Sequence, residues 1–192
     1  MAFVYIVRCN FTAPDREQTW NAWYSGPKMA QMLAQPHFRS CQRFRRASGS
    51  GRNYLALWTV DTPQALATPQ YVSQWGFAEW VSLVTDWSRD LFDASAQPDD
   101  AFAVAAQGAL DVVSFEGVSA EDANEAHALI SRAEPAMMWL PVIGLDRHTP
   151  MIGLRPLGEV APTGGAVGNS GVPRALYRPI MEYRRAAAPA AR

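Results

Sequence analysis

Residues 19–46 read TWNAWYSGPKMAQMLAQPHFRSCQRFRR, and the fold turns on this stretch. Trp20, Trp23 and Tyr24 fall at i, i+3 and i+4, which puts three rings in one stripe of a helix. Ser25-Gly26-Pro27 predicts a break, and residues 28–35 a short Met-rich helix stopped by Pro36. Residues 38–46 then predict a strand. One of its faces carries Arg39, Cys41, Arg43 and Arg45, the other Phe38, Ser40, Gln42 and Phe44.

On the N-terminal side, residues 3–9 predict a strand with faces Phe3/Tyr5/Val7/Cys9 and Val4/Ile6/Arg8. Thr12 is the expected N-cap of the aromatic helix, with Pro14 in its first turn. On the C-terminal side, Ser48-Gly49-Ser50-Gly51 is a turn. Residues 54–60 predict a third strand, split into Tyr54/Ala56/Trp58/Val60 and Leu55/Leu57/Thr59. Asp61-Thr62-Pro63 opens a helical segment that Thr68-Pro69 breaks. Phe77, Trp80, Val81, Val84, Trp87 and Leu91 then hold helical spacing and predict a longer helix over 75–91.

The second half repeats the order more weakly. Residues 110–116 predict a strand. Ser119-Ala120-Glu121-Asp122 is a capping box for a helix to about Ala133, and 137–145, 151–157 and 176–183 predict strands. The expected division is a first half over 1–96, a second, divergent half over 101–185, and a flexible tail over 186–192. Residues 158–173 are rich in Gly and Pro and predict a loop or a lid; no Lys-Ser/Thr follows them, so they are not a phosphate loop.

Composition excludes several classes. A formal net charge of -1 gives no global basic field for nucleic acid or an anionic membrane. Cys9 and Cys41 are too few for a disulfide framework. The N-terminal apolar run is too short for a secretory signal, so a cytoplasmic protein is expected. No His/Cys/Asp/Glu spacing matches a metal site. Of the histidines His37, His127 and His148, His37 stands at the mouth of the second strand. Asp111 shares a strand face with Val113 and Phe115 and is a candidate cavity base or a strand-end charge.

The first half resembles the dimeric α+β barrel superfamily, and within it the EthD-like proteins of catabolic gene clusters. The residues that carry the resemblance are Trp23-Tyr24, Pro36 and Phe38, Arg43-Phe44 and Tyr54-Leu55. Two positions depart from the family pattern: Lys28 stands where a His is usual, and His37 where a Gly is usual. The resemblance implies an α+β fold of ferredoxin-like β-α-β-β-α repeats whose sheets join into a barrel. The barrel closes either between two fused halves of one chain or between two chains, and a homodimer is expected. In that fold one sheet face packs on helices and the other lines a cavity. Alternation then sets Val4, Ile6, Phe44, Leu55 and Leu57 toward the helices, and Tyr5, Arg43, Tyr54 and Trp58 toward the cavity.

The resulting expectation is a cofactor-free enzyme of isomerase, lyase or dehydratase type. It would move a proton on a small hydrophobic, aromatic-derived metabolite. His37, Arg43 and Tyr54 are the candidate catalytic residues, with Arg43 holding an anion. Tyr5, Trp23, Tyr24 and Trp58 are the candidate substrate contacts. The alternatives are a haem-binding barrel, which needs a histidine as axial ligand, and a non-catalytic binding protein.

Overall fold

The computed structural model describes residues 2–159 and 172–187. Most of the stretch expected as a lid (160–171) and most of the expected tail (188–192) lie outside the described residues.

The first half supplies β1 (Phe3–Phe11), β2 (Phe38–Gly49), β3 (Tyr54–Val60) and β4 (Val84–Asp93). The second supplies β5 (Ala109–Ser114), β6 (Met138–Leu145), β7 (Met151–Leu157) and β8 (Arg174–Pro179). Their order is β3-β1-β4-β6-β7-β5-β8-β2, and β2 pairs with β3 to close the ring. The halves follow one plan, β2-β3-β1-β4 and β6-β7-β5-β8, each the strand order of a ferredoxin-like sheet. The seams β4–β6 and β2–β8 are both antiparallel pairs within this chain. One chain therefore completes the barrel. A short β9 (Arg184–Arg185) pairs with the start of β2.

The faces of the first sheet are the reverse of the expectation. Val4, Ile6, Phe44, Leu55 and Leu57 meet Leu110, Val112, Leu140, Ile152 and Leu154 in one cluster fed by both halves, which is the barrel interior. Tyr5, Cys9, Cys41, Tyr54 and Trp58 lie on the outside, beneath the helices. The physical reason is that both faces are buried. Alternation sorts residues into two sets, but it does not say which set faces inward when neither faces water. A closed eight-stranded ring has an interior that side chains fill, here aliphatics with Phe44, Phe92 and Tyr177. Tyr5, Trp20, Tyr54 and Trp58 go outside, where helices can be spaced to fit them. Leu55 and Leu57 are fully buried, each contributing about 2 kcal/mol.

The barrel is stoppered at both ends. At the Val4 end the connector after β4 inserts Phe102 and Val104, and the Gln42 amide bonds Val104 on both sides, donating to its carbonyl at 2.8 Å and accepting its N–H at 3.0 Å. At the other end Arg8, buried, donates to Ser114 at 2.8 Å and to Asp90 at 3.2 Å.

The outer face of the first sheet is covered by α1 (Glu17–Trp23), α2 (Met29–Leu33) and α3 (Pro69–Gln74), that of the second by α4 (Ala120–Ala133). Ser119 caps α4 by accepting the Asp122 N–H, as its sequence predicts. Thr12 does not cap α1; its hydroxyl donates to the Leu83 carbonyl. The expected break at Ser25-Gly26-Pro27 is a continuous π turn, Tyr24–Lys28. The wider turn absorbs the proline that an α-helix would reject.

The long helix expected over 75–91 is absent. Residues Ala78–Leu83 form a 3-10 turn, and β4 follows. The helical spacing of Phe77, Trp80, Val84, Trp87 and Leu91 came from side chains on either side of an element boundary, Phe77 and Trp80 at the 3-10 turn and the rest in β4. Within β4 the true period is two: Ser88, Asp90 and Phe92 face inward, and Trp87, Arg89 and Leu91 outward.

Candidate functional site

The rings left on the outer face of the first sheet do not pack solid. A cleft opens between that face and the helices. Tyr5 and Trp58, cross-strand partners on β1 and β3, form its floor beside Arg89, which faces Val7 from β4. Trp75, Phe77 and Trp87 form its mouth. The π turn supplies Tyr24 and Lys28, both buried. In this conformation the cavity volume is about 20 Å³, room for about one water. Ligand access therefore requires movement at the mouth. Trp75 and Trp87 are each 38% exposed, and Gly76 between Trp75 and Phe77 has φ 97 with open space around it.

The polar groups of the cleft are almost all donors. The Lys28 ammonium donates to the Gln74 carbonyl, and burial lowers its pKa to about 8. The Arg89 guanidinium lies 3.9 Å over the Trp75 ring and pairs with Asp146 at 3.2 Å, while its Nε is buried with no acceptor. The Tyr5 and Tyr71 hydroxyls share a hydrogen bond of 3.0 Å, and burial pushes both phenols above their ordinary range.

Of the residues singled out in the sequence, Tyr5, Tyr24 and Trp58 meet in this cleft. Trp23 packs on the same core, its ring 5.7 Å from Tyr24 and 6.2 Å from Trp80. Arg43 is next door and 1% exposed. It donates to Ser25 Oγ at 2.8 Å and Asn21 Oδ1 at 3.0 Å, and lies over the Tyr24, Trp20 and Tyr54 rings. Tyr54 donates to Glu17 and accepts from Asn21 Nδ2 at 3.1 Å. The expectation that Tyr5, Arg43, Tyr54 and Trp58 point into the barrel is corrected: all four lie outside it, and Arg43 is committed to protein oxygens and rings.

His37 is not brought to this cleft. Its exposed ring bonds Asp61 Oδ1 at 3.0 Å beside a surface groove of about 810 Å³ that Arg39 and Arg185 also line. Its φ is 71, the left-handed region that glycine adopts without strain. Asp111 is no free base either: it pairs with Arg155 and Arg174, both at 2.6 Å, and these hold its carboxyl below the usual range against the opposing effect of burial. Among the described residues no group of His, Cys, Asp or Glu is arranged to hold a metal, and no helix is long and apolar enough to cross a membrane.

Sequence reasoning missed Lys28, Trp75, Phe77, Trp87 and Arg89 as site residues. Trp87-x-Arg89 was legible only after its segment is read as a strand. Lys28 was noticed as a departure, but nothing local says that it is buried.

No protein-family model and no curated protein matches the chain. Solved structures do. One described as an anthrone oxidase-like protein superposes with a TM-score of 0.57 at 10% identity, over 97% of this chain and 94% of that one. One assigned provisionally as a chlorite dismutase gives 0.52 at 8% identity, over 94% and 95%. One assigned provisionally as a monooxygenase, from Fusobacterium nucleatum subsp. nucleatum, gives 0.51 at 8% identity, over 97% and 96%. At such identities the likeness is one of fold. The chain is an α+β barrel of two ferredoxin-like sheets, as the dimeric α+β barrel resemblance implied.

Proposed function

We propose that this protein is a cofactor-free enzyme of small-molecule metabolism, of the EthD-like kind, which moves a proton on a flat, aromatic-derived metabolite bound in the outer cleft. The observation that carries this is the Lys28 amine, buried at 6% exposure in a cleft floored by Trp58 and mouthed by Trp75, Phe77 and Trp87. A lysine with a pKa of about 8 is neutral in a useful fraction near neutral pH and can take a proton from carbon. It then returns that proton at another position of the enolate. This is an isomerase step. Tyr5, which lines the cleft and shares a hydrogen bond with Tyr71 behind it, donates to the developing oxyanion. The rings exclude water. Arg43 and Tyr54 act here by fixing Tyr24 and α1, not by touching the substrate. That solved structures of this fold are described as anthrone oxidase-like and as a monooxygenase supports a small-molecule enzyme. The expected homodimer is part of this proposal, each protomer bringing a finished barrel; sedimentation velocity reads it.

The test is proton exchange. Anthrone and 2-tetralone in D₂O, followed by NMR, exchange their acidic C–H faster with the protein than in buffer, and Lys28→Met returns the rate to background with the fold intact by circular dichroism. No acceleration on either ketone overturns the reading.

One observation favours a second reading, haem. No histidine lines the cleft or the barrel interior, so a histidine-ligated haem does not fit there. His37 does carry the outer carboxylate partner typical of a ligating imidazole, on a groove also lined by Arg39, which pairs with Asp61 and Asp99, and Arg185, which pairs with Asp100. Haem bound there would supply redox chemistry. A Soret band on hemin titration that His37→Ala abolishes would support it; a band unchanged in that variant, or none, removes it.

A further inference from the structure

Resting on the proposed use of the outer cleft, we infer that its ligand is an anion: a flat aromatic acid or stabilised enolate whose negative group is met by Lys28 and Arg89. The side chains lining the cleft include these two cations and no carboxylate. Lys28 has no carboxylate within ion-pair reach among the described residues; one carbonyl, that of Gln74, accepts from its three N–H donors. Arg89 has Asp146 on one side, yet its Nε is buried without an acceptor, and its guanidinium lies 3.9 Å over the Trp75 ring with the Trp87 ring 5.7 Å away. The Tyr5 hydroxyl, the member of the Tyr5–Tyr71 pair that lines the cleft, shares one hydrogen bond with Tyr71. A cleft rich in donors and cations, and poor in acceptors, is complementary to an oxyanion and hostile to an amine.

The walls narrow the class further. Trp75 and Trp87 are 5.9 Å apart, and Phe77 and Trp87 6.2 Å, so the rings at the mouth lie face or edge toward whatever enters. Such walls suit one or two fused rings. They do not suit a sugar phosphate, whose hydroxyls would be left unpaired against tryptophan.

The experiment is calorimetric titration at low salt with 2-naphthoate and with its neutral isostere 2-naphthamide. In the wild type the acid binds about tenfold or more tighter than the amide, the size expected of one charge-assisted hydrogen bond. Lys28→Met and Arg89→Gln each bring the two within about threefold of one another. Asp146→Asn, which frees Arg89 of its competing carboxylate, tightens the acid alone and serves as the gain-of-affinity check should Arg89→Gln fail to fold. Equal binding of acid and amide overturns the anion inference and leaves the cleft reading standing. Failure of both to bind at millimolar concentration overturns the two together.

Discussion

The guanidinium carbon of Arg43 stands 4.1 Å from the centre of the Tyr24 ring. The ring is a wall of the cleft; the cation is not. With no carboxylate partner among the described residues, this buried charge is compensated by Asn21, Ser25 and three rings, and burial draws its pKa down to about 10. Arg43→Ala removes the packing and leaves Asn21 Oδ1 without its donor, and is expected to cost about 3 kcal/mol. Arg43→Met keeps the volume and is expected to cost roughly 1 kcal/mol. Urea unfolding of both variants checks the order, and the preference of the cleft for 2-naphthoate is expected to survive in Arg43→Met.

Lys28 makes stability depend on pH in a calculable direction. Its folded pKa, about 8, lies below the ordinary 10.5, so between those values the unfolded chain binds more protons. Stability rises with pH across that window. The charged group that lines the cleft with it is Arg89 on β4; the titratable phenols there, Tyr5 on β1 and Tyr24 on its own turn, are neutral. Cys9 and Cys41 act oppositely: burial raises both thiols to about 12, so their contribution is present below the ordinary thiol range and lost as pH rises through 12. The clean measurement is therefore a difference. Lys28→Met is expected to exceed the wild type by on the order of 2 kcal/mol at pH 7, and the gap to shrink steadily from pH 8 to pH 10.

His37 occupies a left-handed backbone position at φ 71 and is exposed. Its contact to Asp61 is a surface pair and contributes little. His37→Gly relieves the backbone and is expected to gain about 1 kcal/mol in chemical denaturation. A loss instead would mean that the Asp61 bond outweighs the strain.

The sequence made one sheet's contents readable and its orientation not. Tyr5, Arg43, Tyr54 and Trp58 do share a face, as do Val4, Ile6, Phe44 and Leu57, because alternation is a property of the local backbone. Which face looks inward depends on Leu110, Ile152 and Leu154, more than fifty residues away. β7 was legible to the residue, Met151–Leu157, since Pro150 and Gly158 bracket a run that is mostly apolar apart from Arg155. β4 was lost because its rings continue a helical spacing begun across Gly76. Lys28 illustrates the limit for the site: its chemistry comes from Gln74, Trp75 and Phe77 folding over it, and none of these is near it in sequence.

Closure of the ring rests on a close approach at the β2–β8 seam. Gly49 pairs with Ala175, has φ 83, and a Cβ there would lie 2.2 Å from the Arg174 carbonyl oxygen. That oxygen also accepts the Ser50 N–H at 3.1 Å, so it is backbone that has little freedom to yield. Gly76 offers the control, with φ 97 and nothing within 4 Å of an added Cβ. Gly76→Ala therefore reports backbone strain alone, about 1 kcal/mol, whereas Gly49→Ala adds the clash and is expected to cost at least about 2 kcal/mol more. Hydrogen exchange locates the damage. In Gly49→Ala the amides of Ser48 and Leu176 lose protection while those of the β1–β3 pair keep it, because the seam opens before either half comes apart. Uniform loss across both pairs would instead mean that the two halves unfold as one unit and that the seam has no separate stability.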